Sequence, residues 1–385
     1  MRRLWFGLFV YLLISSGVSV QAQLIETEAE YAAIVDYESG ETLWGHNPDT
    51  PMIPASMTKI MTAHLVFERL AKGEISLQDR FTVSEKAWRE GGWATGGSTM
   101  GLAIGETPTV EELLRGVIVL SGNDACIVLA EGISGSEAKF AAEMTELAQA
   151  MGLRTAQFKN ASGLDADGHR ISARDLAELA RQSVQKFPQY YAFYAEEEMT
   201  WNGIRQSNRN PLLGVMDGAD GLKTGHLSVS GYGLTASAER NGVRRVLVIN
   251  GMPSVADRAR ESERLMRLAF SAFETRTMSK GTARLAELEV WMGERRTVGV
   301  HLAEPLTVTG HKRAFARGSS EIVYQAPLEA PITAGDTVAE LVVTLEGKAP
   351  IRRPLLATED VTRLGFLGRA IEGLSRMMEP KAGNE

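Results

Sequence analysis

Three short strings in this 385-residue chain combine residue types capable of covalent chemistry. The first is Ser56-Met57-Thr58-Lys59. On a helix, residues i and i+3 share a face, so Lys59 can reach the Ser56 hydroxyl. A serine is a useful nucleophile only when a base takes its proton. Lys59 can be that base if desolvation and neighbouring positive charge lower its pKa, and a helix N-terminus at Ser56 would help stabilise an oxyanion there. The second string, Ser121-Gly122-Asn123, falls in a sharp break between two apolar helical stretches. Its hydroxyl could relay protons and its amide could orient a substrate or a lysine. The third, Lys223-Thr224-Gly225, precedes a strand-like run. A lysine and a hydroxyl on an edge strand can bind a carboxylate, and Gly225 would let a ligand backbone approach closely. Singly, each string has an ordinary structural explanation: a capping serine, a loop, a solvated strand end.

Jointly, the three strings occur in the order found in the penicillin-recognising serine enzymes. With Ser-Gly-Asn as the second element, the chain resembles the low-molecular-mass penicillin-binding D-alanyl-D-alanine carboxypeptidases, serine peptidase family S11. The likeness covers nearly all of the chain after its N-terminal segment. It includes SGNDAC from Ser121, GLDADG from Gly163, TWNGIRQSNRN before Pro211 and DGLKTGH around Lys223.

The resemblance implies an α+β fold: a penicillin-binding, β-lactamase-like transpeptidase domain, then a small all-β domain and a C-terminal amphipathic helix. It implies that Ser56 is acylated, that Lys59 is the general base, and that Ser121 and Asn123 assist proton transfer and orient lysine and substrate. Lys223 and Thr224, beside Gly225, would hold the terminal carboxylate. The N–H groups of Ser56 and His226 would form the oxyanion hole. Arg258 is a further candidate for the carboxylate, and Arg209 a weaker one. The implied substrates are peptidoglycan stem pentapeptides ending in D-Ala-D-Ala, with β-lactams as covalent inhibitors and with no cofactor or metal. A β-lactamase would need an efficient deacylating group and would not need the extra β domain. Endopeptidase relatives commonly lack that domain, and a silent scaffold would not need the intact motif residues. Arg170-Ile171-Ser172, after His169, departs from the family's Phe/Tyr-Ser-Thr run and implies altered loop packing. Cys126, three residues after Asn123, reads as a small core residue near the site.

Several elements must position these residues. AIVDY and ETLW around Ser39-Gly40 predict a hairpin. An apolar stripe from Ile60 to Leu70 predicts a helix over Ser56–Leu70, stopped by Gly73. Trp88–Gly105 reads as a glycine-rich loop. Helices are expected over Val110–Leu120, after Gly122, and over Glu137–Met151, Asp175–Phe187 and Arg258–Phe273. Leu234–Ala238 and Val243–Asn250 are expected strands joined by the turn signal Asn241-Gly242. Strands, a helical block, strands and a helix suggest an antiparallel sheet with helices packed on it. From about Ser279, short alternating segments (LAELEVW, TVGVHL, PLTVTG, EIVYQA and VAELVVTL) predict a separate β domain.

The ends of the chain read differently. Met1-Arg2-Arg3, an apolar run from Leu4 to Ile14 and Val20-Gln21-Ala22 match a secretory leader, too short to span a bilayer. Its removal would take the formal charge from −7 to −9. Nothing in this acidic total suggests a basic nucleic-acid-binding surface, and no Lys/Arg block is long enough to form one. A single cysteine excludes an internal disulfide and any multi-cysteine metal site. None of the six histidines lies within four residues of another, so no local metal motif is present. Near the C-terminus, Leu364, Leu367, Ala370, Ile371, Leu374, Met377 and Met378 form one apolar face. Arg363, Arg369, Glu372 and Arg376 fall between them. That helix could dock on its own domain or lie in a membrane interface. The expected division is leader 1–22, catalytic domain 23–277, β domain 278–358 and amphipathic helix 359–385. The resemblance implies export to a periplasm and peripheral attachment to the inner membrane's outer face.

Overall fold

Five consecutive buried residues in Tyr31–Asp36 (β1) mark a strand covered on both faces. The chain turns back at Ser39-Gly40 into β2 (Thr42–His46), as the hairpin signal requires. This computed structural model describes residues 25–378, so the leader expected over residues 1–22 lies outside the described residues. After β3 (Pro51–Met52) comes a 3-10 turn at Ala55–Thr58, which leads into α1 (Lys59–Ala71). Ser56 therefore sits in the tighter turn ahead of the α-helix. Ser84 caps α2 (Glu85–Gly91) by accepting from the Ala87 N–H. Its glycines make Trp88–Gly105 look like loop, but this segment begins inside that helix because the cap lies upstream.

Thr109 and Glu112 form a capping box that starts α3 (Val110–Ile118). There follow α4 (Asn123–Ser134), α5 (Glu137–Ala150), β4 (Ile171–Ser172), α6 (Ala173–Lys186) and α7 (Pro188–Tyr191). A small hairpin, β5 (Glu198–Trp201) with β6 (Ile204–Ser207), has no alternating apolar pattern to announce it. Then come β7 (Ala219–Leu227), β8 (Gly231–Arg240), β9 (Val243–Met252) and α8 (Val255–Ser271). Asn241 and Gly242 both have positive φ, as a two-residue hairpin turn demands.

The central sheet is antiparallel, in the order β2-β1-β9-β8-β7. Side chains alternate between its faces. Ala33, Val35, Val246 and Val248 join the core formed with α1, α3, α4 and α6, whereas Ala32, Ile34, Leu247 and Ile249 pack with Leu265, Met266 and Ala269 of α8. Strand β7 is left at the edge, free to face the turn that carries Ser56.

Beyond α8, β10 (Phe273–Lys280) precedes β11 (Ala286–Trp291), β12 (Thr297–Leu302) and β13 (Pro305–His311). Next are α9 (Lys312–Arg317), β14 (Ser319–Val323), β15 (Leu328–Glu329), β16 (Thr337–Thr344) and β17 (Ile351–Ala357). Six of the strands form a sheet in the order β14-β16-β17-β12-β11-β15 around a separate core that includes Val298, Val300, Leu341 and Leu355. Arg352, Arg353 and Pro354 hide β17 from a search for alternating apolar residues. Strand β10 pairs with β13 along its length and straddles residue 277, where the sequence reading places the catalytic domain's end.

A polar chain, buried at Arg245 and Asp36 and partly buried beyond them, joins the two units. Arg245 of β9 pairs with Asp36 of β1 and donates to Thr275 Oγ1 of β10 (3.1 Å). Thr275 in turn shares a hydrogen bond with Thr309 of β13 (2.9 Å). Lys348 donates to the Thr309 carbonyl (2.8 Å) and to Glu41 Oε1 (2.5 Å). Helix α10 (Phe366–Met378) follows the β unit. Its base is fixed by the Leu364 N–H donating to Met292 O (2.8 Å) and by an Arg363–Glu329 ion pair (3.0 Å). Phe366 is 78% exposed, Leu367 77% and Ile371 64%. Its side chains beyond Glu372 lie outside the described residues. Among the described residues no helix is long and apolar enough to cross a membrane.

Candidate active site

Lys59 opens α1, and its ammonium nitrogen is fully enclosed, with the residue 1% exposed. It donates to Ser56 Oγ (3.0 Å), Asn123 Oδ1 (2.8 Å) and the Ser162 carbonyl (2.7 Å). The i, i+3 spacing thus brings Ser56 and Lys59 together, with a third motif residue, Asn123, from α4. Two of the three partners are carbonyl oxygens and can only accept. A neutral Lys59 keeps two N–H bonds for them, and its lone pair is left facing Ser56 Oγ, the one partner able to donate. Burial lowers the Lys59 pKa to about 8; Arg209 reinforces the shift and Asp124 opposes it. A substantial neutral fraction is therefore available near neutral pH.

The second motif is held by backbone geometry. Ser121 adopts φ +61°, an uncommon conformation for a side chain-bearing residue. It lines the cleft and is 1% exposed, so its hydroxyl is presented to the cleft from a nearly buried position. The next residue in SGNDAC, Asp124, is wholly buried. Its carboxylate accepts from Thr99 Oγ1 (2.7 Å) and from the N–H groups of Met100 (2.8 Å), Gly101 (2.8 Å) and Leu102 (3.0 Å). The Asn123 N–H donates to Ser98 O (2.9 Å). Together these bonds press Gly96, Gly97 and Ser98 into the cleft wall. Cys126 is completely buried and its thiol is pushed up to about 12, first by burial, so it is not a second nucleophile.

The third motif lies on β7. Lys223 is 3% exposed and its Nζ donates to the Thr224 carbonyl at 3.2 Å. Burial, then Lys59 and Arg209, hold its pKa well below the ordinary lysine value. Gly225 has a different reason from the one its position on an edge strand suggested. A Cβ there would come within 2.6 Å of Pro54 O and 3.3 Å of Ala55 Cβ, so the glycine admits the protein's own nucleophile turn. On the other side, Gly163 (φ +80°) would place a Cβ 1.9 Å from Ala55 O. The turn bearing Ser56 is thus clamped between β7 and the GLDADG loop.

That loop is anchored by His169. Its Nδ1 accepts from the Lys159 N–H (3.1 Å), so Nε2 carries the ring proton and donates to Thr58 Oγ1 (2.8 Å). Burial, helped by Lys159 and Lys59, lowers its pKa to about 4 and keeps the ring neutral. The departure at Arg170-Ile171-Ser172 is accommodated by ladders. Gln157 and Arg170 exchange backbone bonds of 2.8 Å, and Ile171 and Ser172 pair with Met52 and Pro51.

The cleft measures about 570 Å³. Ser56, Ser121, Asn123, Thr224, Gly225, His226, Arg209 and Arg258 all line it. Arg209 belongs there as firmly as Arg258: it donates to Ser98 Oγ. Ser162, Asp124 and Tyr232 were not singled out from the sequence. Asp124 lies inside SGNDAC and Ser162 adjoins GLDADG, so those strings held the available signal. Ser162 acts through a carbonyl, which has no residue-type signature. Lys59, Lys223, Arg209 and Arg258 meet here, and among the described residues none of the four has a carboxylate partner. Such a site suits an anionic ligand.

The matches to known proteins agree with this geometry. Residues 17–254 match the family model described as D-alanyl-D-alanine carboxypeptidase, and residues 273–363 match the penicillin-binding protein 5 C-terminal domain. D-alanyl-D-alanine carboxypeptidase DacC of Escherichia coli is 37% identical over 365 residues, covering 94% of this chain and 91% of that protein. Penicillin-binding protein 5 from Haemophilus influenzae superposes with TM-score 0.75 at 34% identity, covering 88% of this chain and 98% of that one. Penicillin-binding protein D2 from Listeria monocytogenes, solved in an ampicillin-bound form, superposes with TM-score 0.56 at 29% identity over 64% of this chain and 99% of its own.

Proposed function

The chain belongs to the D-alanyl-D-alanine carboxypeptidase family of penicillin-binding proteins, and from that membership we propose a division of labour among its cleft residues. The protein is a serine-type D-Ala-D-Ala carboxypeptidase. Lys59 takes the proton of Ser56, whose Oγ attacks the carbonyl of the penultimate D-Ala of a peptidoglycan stem pentapeptide. The N–H groups of Ser56 and His226 receive the oxyanion. The amine of the terminal D-Ala gains a proton, relayed by Ser121 and Lys59, and leaves. Water then hydrolyses the acyl-enzyme. Asn123 orients Lys59 and substrate. Lys223 and Thr224, with Arg258 and Arg209, hold the terminal carboxylate. A β-lactam acylates the same serine, and no metal or cofactor takes part. The observation that carries this reading is the Lys59 tripod, which directs the amine lone pair at Ser56.

The wider setting is part of the proposal. The leader exports the chain to the periplasm. The units 23–277 and 278–358 are followed by residues 359–385, whose helix lies on the outer face of the inner membrane. The exposed Phe366, Leu367 and Ile371 support an interfacial helix over a docked one. There the enzyme trims stem peptides in peptidoglycan maturation and cell-shape control. The decisive test is D-Ala release from a pentapeptide, together with covalent labelling by penicillin, for wild type and Ser56→Ala. Labelling of Ser56→Ala would sink the assignment, and release only from cross-linked dimers would favour an endopeptidase. Deleting residues after Val361 should move the protein from the membrane to the soluble fraction; an unchanged distribution would favour the docked helix.

A further inference from the structure

Tyr232 has no motif around it, yet it touches both sides of the cleft. It stands directly opposite His226 in the β7–β8 ladder. A bulge between Tyr232 and Leu234 shifts its register against β9, a device that re-aims side chains beside active sites. Its ring stacks on the His226 imidazole, with centroids 3.9 Å apart and planes 18° from parallel. The Arg258 guanidinium carbon lies 6.0 Å from the same ring centroid. Arg258 is itself largely buried, its Nε has no hydrogen-bond partner, and among the described residues no carboxylate faces it. The Tyr232 ring is thus the one aromatic face recorded beside this guanidinium among the described residues.

We propose that Tyr232 is a positioning residue for the carboxypeptidase reaction: its ring aligns the carboxylate-receiving guanidinium of Arg258 with the β7 segment at His226. The proposal rests on the reading of His226 as oxyanion strand and Arg258 as carboxylate receptor. A cation about 6 Å from the face of a partly buried ring gains a modest attraction, which favours one rotamer of an otherwise unpaired guanidinium. The phenol hydroxyl plays no part in this function; the aromatic face does.

The test compares acylation of Ser56 by benzylpenicillin and by its methyl ester, which lacks the anion. Wild type, Tyr232→Leu, Tyr232→Met, Tyr232→Phe and Arg258→Gln are measured, with thermal melting to verify folding. Tyr232→Leu and Tyr232→Met should each lower the acid-to-ester ratio of acylation constants by about tenfold. Tyr232→Phe should restore the ratio to within about threefold of wild type. Combining Tyr232→Leu with Arg258→Gln should add little to Arg258→Gln alone. Equal losses for acid and ester, or no rescue by phenylalanine, would overturn the positioning role while leaving Arg258 as receptor. An unchanged ratio in Arg258→Gln would overturn the receptor reading and the proposal with it.

Discussion

The junction of the two units and the cleft both bury cations, and they do so in opposite ways. At the junction of the two units, Arg245 is 1% exposed but meets Asp36 directly, and the Asp36 carboxylate is further satisfied by the N–H (3.0 Å) and hydroxyl (2.7 Å) of Ser39. Arg245 also reaches Thr275 and the Ala269 carbonyl. In the cleft, Lys59 has three neutral acceptors, Lys223 one distant carbonyl, and the Arg258 guanidinium no hydrogen bond among the described residues. The junction compensates its charge with an opposite one and gains specificity of docking. The cleft withholds compensation, so an amine can give up its proton and an anionic ligand finds unpaired donors. The burial that lowers the Lys59 pKa to about 8 corresponds to about 3 kcal/mol of stability forgone at neutral pH. This is a large share of a typical domain's margin.

The sharpest contrast comes from removing the cleft's buried amine and the junction's compensating carboxylate in turn. Lys59→Met should lower the rate of Ser56 acylation by roughly 10²–10⁴-fold, read by penicillin labelling, while the melting transition persists. Asp36→Ala should do the reverse. It strands Arg245 in the interior and should cost about 3–5 kcal/mol in denaturant unfolding, with acylation by the folded fraction close to wild type. Equal effects of both changes on acylation would erase the distinction between the two regions.

Lys223→Met tests the trade more gently. It removes a buried charge with one poor hydrogen bond, so stability should rise by about 0.5–2 kcal/mol while carboxylate-bearing substrates bind at least several-fold more weakly. A fall in stability would mean that Lys223 is better compensated than its contacts indicate. The smallest effect is on pH dependence. Since the base must be neutral, acylation should increase as pH rises through about 8 in the free enzyme. Folded Lys59 sheds its proton earlier than an unfolded lysine does. Between about pH 8 and the ordinary lysine value near 10.5, the unfolded chain binds more protons, and stability should rise with pH. Below that window both states are protonated and the burial cost is fully present. In Lys59→Met the acylation limb should vanish, and the stability slope should shrink to what the buried Lys223 contributes.

Much of this design is legible in one dimension. Ser56 with Lys59, and Ser121 with Asn123, declare themselves because the chemistry needs particular side chains at short, fixed spacings. The β1–β2 and β8–β9 hairpins and the helices α3 to α6 follow from periodicity and turn residues. Other elements escaped because their signals are weak or shared. Helix α2 is seven residues long and amid glycines, and β17 is interrupted by Arg352, Arg353 and Pro354. Gly225 was legible as a site of close approach, but not whose backbone approaches.

The amino-acid order alone determined the spacing that sets Lys59 beside Ser56 and the hairpin turns, because each depends on interactions a few residues apart, and the change from helical to alternating apolar patterning announced the second unit. Only the tertiary structure decided how the cations share their surroundings. Lys59 meets Asn123 and Ser162 across 64 and 103 residues, and Arg245 meets Asp36 across 209. Whether a buried charge is compensated depends on packing at those distances, and a lysine's letter carries no trace of its dielectric surroundings. The same is true of Tyr232: its composition says aromatic, and only the sheet register and the bulge set it between His226 and Arg258.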